Sequence, residues 1–222
     1  MPHKSLTNTG QLAEESIAKG DVTGWFEELY SVSAGDPSVI PWAGEKPNPY
    51  LVEWLDKNSV VGNGKKAMVI GCGLGDDAEE LARRGFSVTA FDIAPTAIEW
   101  AKKRFSDSSV EYDVADLFDL PKKWLGAFDF IFECYTIQAL PRSVRSDVIG
   151  KVASVVAPHG SLLIICRGWR DDQTEDTLPW ALRKEELAQF RELGFSELSF
   201  EEFWDAEDPN RYRFRILYKK GI

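Results

Sequence analysis

From Lys65 to Cys166 the chain alternates short β-rich apolar runs with amphipathic stretches, which is the pattern of a parallel sheet flanked by helices. The runs Ala67–Gly71, Ser87–Asp92, Val110–Tyr112, Phe128–Phe132 and Ser161–Cys166 are expected as strands. Between them, Asp76–Arg84 gathers Ala78, Leu81 and Ala82 on one face, and Pro95–Phe105 starts with a first-turn proline and repeats Ile98, Ala101 and Phe105. A helix over Arg142–Val156 should stop at Pro158-His159-Gly160, whose breakers turn the chain into the fifth strand. Beyond Cys166 a polar loop leads to a helix at Arg183–Leu193, stopped by Gly194, and then to strands at Ser196–Trp204 and Arg211–Lys219. In RYRFRILYK the basic residues are expected outward and Tyr212, Phe214, Ile216 and Tyr218 inward. A short DAEDPN turn joins the two strands, so an antiparallel strand is added to an otherwise parallel sheet. The first 50 residues look loop-like and carry tryptophans, and a short helix at Pro49–Asp56 follows. This segment, residues 1–58, is expected to lie as a lid over the carboxyl edge of the sheet formed by residues 59–222.

With 222 residues, 44% of them apolar, the chain can bury one sizeable core. A formal charge of −10 with no basic stripe excludes a nucleic-acid partner from expectation, because it would repel a phosphate backbone. Cys72, Cys134 and Cys166 are odd in number and have no CxxC spacing, which speaks against a disulfide framework or a zinc site. Neither an apolar leader nor a run near the roughly 18 apolar residues of a membrane helix is present. A cytoplasmic protein without a membrane partner is therefore expected. No metal is expected either, since no carboxylate and histidine cluster stands out and the two histidines are His3 and His159.

In open parallel sheets, ligands bind beyond the carboxyl ends of the strands where the strand order reverses. The first such end carries Gly71, Gly73 and Gly75 in VIGCGLGDD, and glycine permits both unusual torsions and close approach of a ligand to the backbone. Asp92 follows about 20 residues later at the end of the second strand, where a carboxylate can accept both ribose hydroxyl protons. Asp116, after the third strand, can accept from an exocyclic amine such as that of adenine. Together they outline an adenosine; the alternatives are a structural turn, a helix cap before Pro95 and a loop acid. Dinucleotide sites use G-x-G-x-x-G. Here the third glycine comes one position early, and Asp76 and Asp77 at the helix start would repel a pyrophosphate while suiting a cation. The ammonium and sulfonium of S-adenosylmethionine are such cations.

The runs VIGCGLGDD, AFDIAP, DVADLF and FDFIFE, in that order, resemble the class I S-adenosylmethionine-dependent methyltransferases over most of Lys65 to the end. The resemblance implies a Rossmann-like, seven-stranded α/β sheet, mostly parallel with an antiparallel last strand and helices on both faces. It implies that Gly71, Cys72, Gly73 and Gly75 pass beneath the methionine part of the cofactor and that Asp92 holds the ribose. Ile93 would pack on the adenine, Asp116 and Leu117 would meet its edge, and Glu133 or Cys134 would sit below the sulfonium. Asp77 would be either a ligand to the amino-acid end or an exposed helix cap.

The segment Trp25-Phe26-Glu27-Glu28-Leu29-Tyr30, with Pro41-Trp42-Ala43-Gly44 and Pro47-Asn48-Pro49, is similar to the lid of the thiopurine, thiol and halide methyltransferases. That likeness implies that Trp42 and Trp25 close over the cofactor; filling the seam between lid and sheet is the alternative. The usual W-D-x-R-Y reads W-F-E-E-L-Y here, so the lid charges differ. Tyr30, Tyr135, Arg167, Trp169 and Trp180 are the candidates for the acceptor pocket.

Methyl transfer from a sulfonium is an in-line displacement, so the protein mainly aligns the nucleophile and excludes water, and no catalytic base is assigned. The expected activity is transfer to a small-molecule nucleophile, leaving S-adenosylhomocysteine. Sulfur is favoured because a thiolate needs no base, and a nitrogen or oxygen acceptor is the alternative. The competing classes are a nucleotide-cofactor oxidoreductase, disfavoured by the glycine spacing and the Asp76-Asp77 pair, and a non-catalytic S-adenosylmethionine-binding protein. The acceptor and the oligomeric state are not legible.

Overall fold

The structure, a computed structural model, describes residues 9–173 and 178–222. The elements, in chain order, are α1 (Thr9–Ala18), α2 (Gly24–Val32), α3 (Pro49–Lys57), β1 (Lys66–Ile70), α4 (Asp76–Arg83), β2 (Ser87–Asp92), α5 (Pro95–Arg104), β3 (Glu111–Val114), β4 (Phe128–Cys134), α6 (Thr136–Ala139), α7 (Arg145–Val155), β5 (Val156–Arg167), α8 (Lys184–Glu192), β6 (Phe195–Trp204) and β7 (Tyr212–Lys220). They form one seven-stranded sheet in the order β3-β2-β1-β4-β5-β7-β6. The pairs from β3 to β5 are parallel, and β7 runs antiparallel to both β5 and β6. The order reverses between β1 and β4, and that reversal opens a crevice at their carboxyl ends.

Alternation along the strands splits the core into two layers. Met68, Ile70 and Ile131 face one side with Val148, Ile149 and Val152 of α7 and Leu187 and Phe190 of α8. Ala67, Val69, Phe130 and Phe132 face the other with Leu51 and Leu55 of α3, Leu81 of α4 and Ile98 of α5. Each fully buried aliphatic or aromatic side chain contributes about 1.5–3 kcal/mol by removal from water, which is why the central strands read as continuous apolar runs.

The structure departs from the sequence reading in four places. Residues before α3 are not loop-like, because α1 and α2 bury Leu12, Ala13, Trp25, Leu29 and Tyr30 against Ala94 and Ala97 at the start of α5. Their docking is specific: α5 begins with Ala94 at the cap position and Pro95, neither of which can cap a helix through a side chain. Glu27 of α2 supplies the missing acceptor, taking the Thr96 N–H at 3.0 Å and its hydroxyl at 2.6 Å.

The Pro158-His159-Gly160 triplet does not separate a helix from a strand. Strand β5 starts at Val156, and its pairing with β4 shifts register between Phe128↔Val156 and Phe130↔Ser161, so the triplet forms an irregularity within the strand. Pairing on both sides of the bulge carries the strand through breakers that would have stopped an isolated one. The next departure is at β3, which covers Glu111–Val114 and leaves Val110 ahead of the strand.

Arg213 and Arg215 point into the protein, not outward. As an interior strand, β7 has neighbours on both edges and cover on both faces. Its arginines are tolerated because each has a carboxylate: Arg213 bonds Asp205 Oδ2 at 2.9 and 2.7 Å, and Arg215 pairs with Glu201 and donates to the Tyr50 carbonyl.

Candidate active site

The crevice at the carboxyl edge opens into a cavity of about 850 Å³. Its floor is the turn between β1 and α4, where Gly71, Gly73 and Gly75 hold φ values of +62°, +51° and +91°. A Cβ at Gly71 would lie 2.3 Å from the Thr136 hydroxyl, and one at Gly75 would lie 2.4 Å from that of Tyr112, so both torsion and space demand glycine. Asp92 ties the turn to β2: its Oδ2 accepts the Gly73 N–H and its Oδ1 the Ala94 N–H, each at 2.9 Å. Burial raises the Asp92 carboxyl above its ordinary range, partly offset by these backbone donors.

The two acidic residues opening α4 take different roles. Asp76 is neutralised by Arg104, which bonds its two oxygens at 2.8 and 2.9 Å. Asp77 is half-buried, lines the cavity and accepts the Asn48 N–H at 2.6 Å. Burial pushes its carboxyl up to about 7, with Asp76 and Glu80 adding to the rise against the Asn48 hydrogen bond.

Over this floor lies an aromatic cover. Trp42 donates its Nε1–H to Tyr30 Oη at 2.8 Å and meets Trp25 edge-on at 5.9 Å. Trp25 is 1% exposed and lines the cavity, and its buried Nε1–H has no acceptor among the described residues. At the far end of the floor Ile93, Asp116 and Leu117 line the wall, and Asp116 closes a tight turn by accepting the Phe118 N–H at 2.8 Å.

The opposite half of the cavity is built around the end of β4. Cys134 and Tyr135 both line it and both receive hydrogen bonds from Asn48 Nδ2, at 3.1 and 3.3 Å. Tyr135 is held at φ +66° under the Arg213 guanidinium, 4.8 Å from its ring centre. Arg167, Asp205 and Arg213 complete this wall.

Among the sequence candidates, Trp25, Tyr30, Trp42, Gly71, Cys72, Gly73, Asp77, Asp92, Ile93, Asp116, Leu117, Cys134, Tyr135 and Arg167 converge on this cavity. Gly75, Glu133, Trp169 and Trp180 do not line it. Glu133 points into the core beneath α6, where its Oε1 accepts the Thr136 and Ile137 N–H groups at 2.7 and 3.0 Å. Its Oε2 has no partner among the described residues, and burial pushes the carboxyl up to about 7. Trp169 is covered by Arg183 at 4.1 Å, and Trp180 is anchored through its N–H to the Gln138 carbonyl. His3 and residues 174–177, part of the RGWRDDQTEDTLPW stretch, lie outside the described residues. Among the described residues no His, Cys, Asp and Glu group is placed to hold a metal, and no helix is long and apolar enough to cross a membrane.

Sequence reasoning missed Asn48, Asp205 and Arg213. Asn48 stood inside the quoted Pro47-Asn48-Pro49 motif, whereas Asp205 and Arg213 carried no signal, because only the hairpin brings them together. Residues 36–215 match the family profile described as thiopurine S-methyltransferase. The chain belongs to the thiopurine S-methyltransferase family.

Relatives of this family member differ in the acceptors they are named for. It is 27% identical over 145 residues to the 2-heptyl-1-hydroxyquinolin-4(1H)-one methyltransferase of Mycobacteroides abscessus, matching 63% of this chain and 62% of that one. It is 27% identical over 173 residues to the probable thiol methyltransferase 2 of Arabidopsis thaliana, matching 72% and 69% of the two chains. The chain spans only about half to 62% of the length of several curated relatives it matches. The Burkholderia thailandensis 1,6-didemethyltoxoflavin-N1-methyltransferase, solved with S-adenosylhomocysteine, superposes with a TM-score of 0.70 at 16% identity, over 95% of this chain and 91% of that one. The fold is thus the Rossmann-like methyltransferase fold.

The residues of this thiopurine S-methyltransferase family member fit S-adenosylmethionine. Asp77 is a half-buried carboxyl with no cation paired to it among the described residues, and Trp25 offers a buried indole N–H with no acceptor among them, so a zwitterionic amino-acid group would answer both.

Proposed function

We propose that the chain transfers a methyl group from S-adenosylmethionine to a small-molecule nucleophile, with sulfur the favoured acceptor atom. The observation that carries this reading is that Asp77, Asp92 and Asp116 line one cavity together with Gly71 and Gly73 of the glycine turn. In this reading Asp92, Ile93, Asp116 and Leu117 hold the adenosine, Asp77 holds the ammonium, and residues 9–58 act as a lid through Trp25 and Trp42. When bound, the cofactor supplies the electrophilic methyl group. The chain then has to align the acceptor and exclude water.

The acceptor half supports a nucleophile that arrives already anionic. Burial holds the Tyr135 phenol and the Cys134 thiol above their ordinary values, so neither is a base near neutral pH. Burial also pushes Asp205 up, but the Arg213 guanidinium and the Glu207 N–H overcome it and hold the carboxyl ionised and fully engaged. The family description and the thiol methyltransferase relative support sulfur; the relatives named for a hydroxyquinolone and for nitrogen methylation support the alternative.

Calorimetric titration with S-adenosylhomocysteine, with NADH as control, tests the cofactor. Binding of the former alone is expected; binding of NADH alone would overturn the reading in favour of an oxidoreductase. Product analysis with matched thiophenol, aniline and phenol then tests the acceptor atom. Methylation of the thiol is expected to be fastest, and turnover of phenol or aniline alone would replace sulfur as the acceptor. Cofactor binding without product from any acceptor class would leave a binding protein.

A further inference from the structure

We propose that Asn48 is a positioning residue for methyl transfer: one amide side chain, carried on a rigid helix start, sets the acceptor half of the cavity against the cofactor half. The inference rests on the methyltransferase reading above and assigns a role at that same site.

The local sequence dictates the geometry. In Pro47-Asn48-Pro49 neither flanking residue carries a backbone N–H, so Asn48 supplies the only main-chain donor of the three. A residue before proline is driven to extended conformations, and Asn48 has ψ 121°. Its N–H goes to Asp77 of α4, read above as the partner of the cofactor ammonium, whose Oδ1 accepts it at 2.6 Å. The side chain is equally constrained. Its Oδ1 accepts the Tyr50 N–H at 2.9 Å and so caps α3. A flipped amide would set its NH2 against that N–H, so the nitrogen is the atom left to face the end of β4. There Nδ2 donates to Cys134 Sγ at 3.1 Å and to Tyr135 Oη at 3.3 Å.

Capping α3 needs only the amide oxygen. The contacts of the nitrogen fall on residues that line the cavity and add nothing to the helix. Tyr135 depends on them most. Its backbone lies at φ +66° and its ring lies under Arg213, while among the described residues Asn48 alone fixes the hydroxyl. The frame behind Asn48 is stiff: Leu51 and Leu55 of α3 are fully buried, the Tyr50 carbonyl accepts from Arg215, and the Tyr50 hydroxyl accepts the Ala206 N–H. A donor on an element packed in this way is held more precisely than one on a loop. In-line transfer rewards that precision, since a misplacement of about 1 Å at a reacting site costs about a hundredfold in rate.

The test separates the two halves of the amide in the full chain. Asn48→Ser and Asn48→Asp keep a capping oxygen and lose the nitrogen, whereas Asn48→Ala loses both. Each variant is compared with the wild type in Tm, in S-adenosylhomocysteine affinity, and in kcat and KM with thiophenol, or with aniline or phenol where one of these is the acceptor turned over. Fluorine NMR of fluorotyrosine-labelled protein, with Tyr135→Phe to assign the signal, reads the Tyr135 hydroxyl directly. Asn48→Ser is expected to keep the wild-type Tm and to bind S-adenosylhomocysteine within about threefold, because Asp77 is held by the backbone N–H. Its kcat/KM should fall about tenfold, the scale of one or two lost hydrogen bonds, and its Tyr135 signal should move. Asn48→Asp should lose turnover in the same way, and Asn48→Ala should lose both turnover and Tm. Wild-type kcat/KM or an unmoved Tyr135 signal in Asn48→Ser would reduce Asn48 to a helix cap, and so would turnover that falls in step with Tm across the three variants. A wild type that binds no S-adenosylhomocysteine would instead sink the methyltransferase reading, while the fluorine signal would still report the Asn48 contact, which keeps the two failures apart.

Discussion

The two halves of the cavity are built by different means. In the half assigned to adenosine and methionine, the glycine turn, Asp92 and Asp116 follow the ends of β1, β2 and β3, and carboxylates there accept backbone N–H groups, as Asp92 does from Gly73 and Ala94. In the acceptor half, Asn48, Tyr135, Arg167, Asp205 and Arg213 come from five separate segments and are held by side-chain contacts and one buried ion pair. The first half is thus shaped by the chain path itself. The second depends on a few charged pairs, and so single substitutions should hurt the two halves in different ways, stability in one and cofactor affinity in the other.

The largest expected effect tests the ion pair. Arg213→Met should cost about 3–5 kcal/mol of stability in urea unfolding, because it strands Asp205 in a buried position. A loss below about 1 kcal/mol, the range of exposed pairs, would show that water already reaches the pair and that the acceptor half is less tightly built than argued.

Next comes the cofactor half. Asp92→Ala should weaken S-adenosylhomocysteine binding by about 1–3 kcal/mol in calorimetry, since both the ribose partner and the anchor of the glycine turn are removed. Unchanged affinity would mean that adenosine does not lie on this floor.

A pH series sharpens the distinction further. Asp77 holds its proton up to about pH 7 in the folded protein and to 3.8 as an unperturbed carboxyl. The free protein therefore gains relative stability from Asp77 at low pH and loses it as pH rises from about 4 through 7. A bound ammonium favours the ionised form, so the sign reverses for binding: affinity is full above pH 7 and falls by up to about tenfold per unit below it. The rise in Tm on adding S-adenosylhomocysteine should accordingly grow from pH 6 to pH 8, and Asp77→Asn should flatten it. A flat profile in the wild type would place the ammonium elsewhere.

Trp42→Ala should have the smallest effect, about 0.5–1.5 kcal/mol in cofactor affinity, because the ring is 38% exposed and meets Trp25 and Tyr30 only edge-on. An unaltered affinity and turnover would leave Trp42 as surface packing.

The same division governs what could be read in advance. Strands β1, β2 and β4 and helices α4 and α5 were legible because their apolar spacing is a local signal, and the glycine turn with Asp92 and Asp116 was legible because a fixed chain path links motif to position. Helices α1 and α2 were not, since their burial depends on docking against α5 and on Glu27 capping a helix far along the chain. The bulge around His159 was hidden for a similar reason: a breaker stops an isolated strand, but not one paired on both sides of it. The inward arginines of β7 misled because alternation marks a two-faced strand and does not say which face is wet.

The amino-acid sequence by itself determined the α/β sheet, the position of the crevice and the acidic residues along its floor, because strand period, glycine torsions and carboxylate spacing act within one or two neighbouring segments. Tertiary structure alone decided that of Asp76 and Asp77, which both line the cavity, it is Asp76 that pairs with Arg104, that Cys134 and not Glu133 lines it, and that two arginines meet across β5 and β7. Those outcomes depend on burial and on pairing between distant segments, and the energy of a charge is set by the neighbours that the fold brings to it.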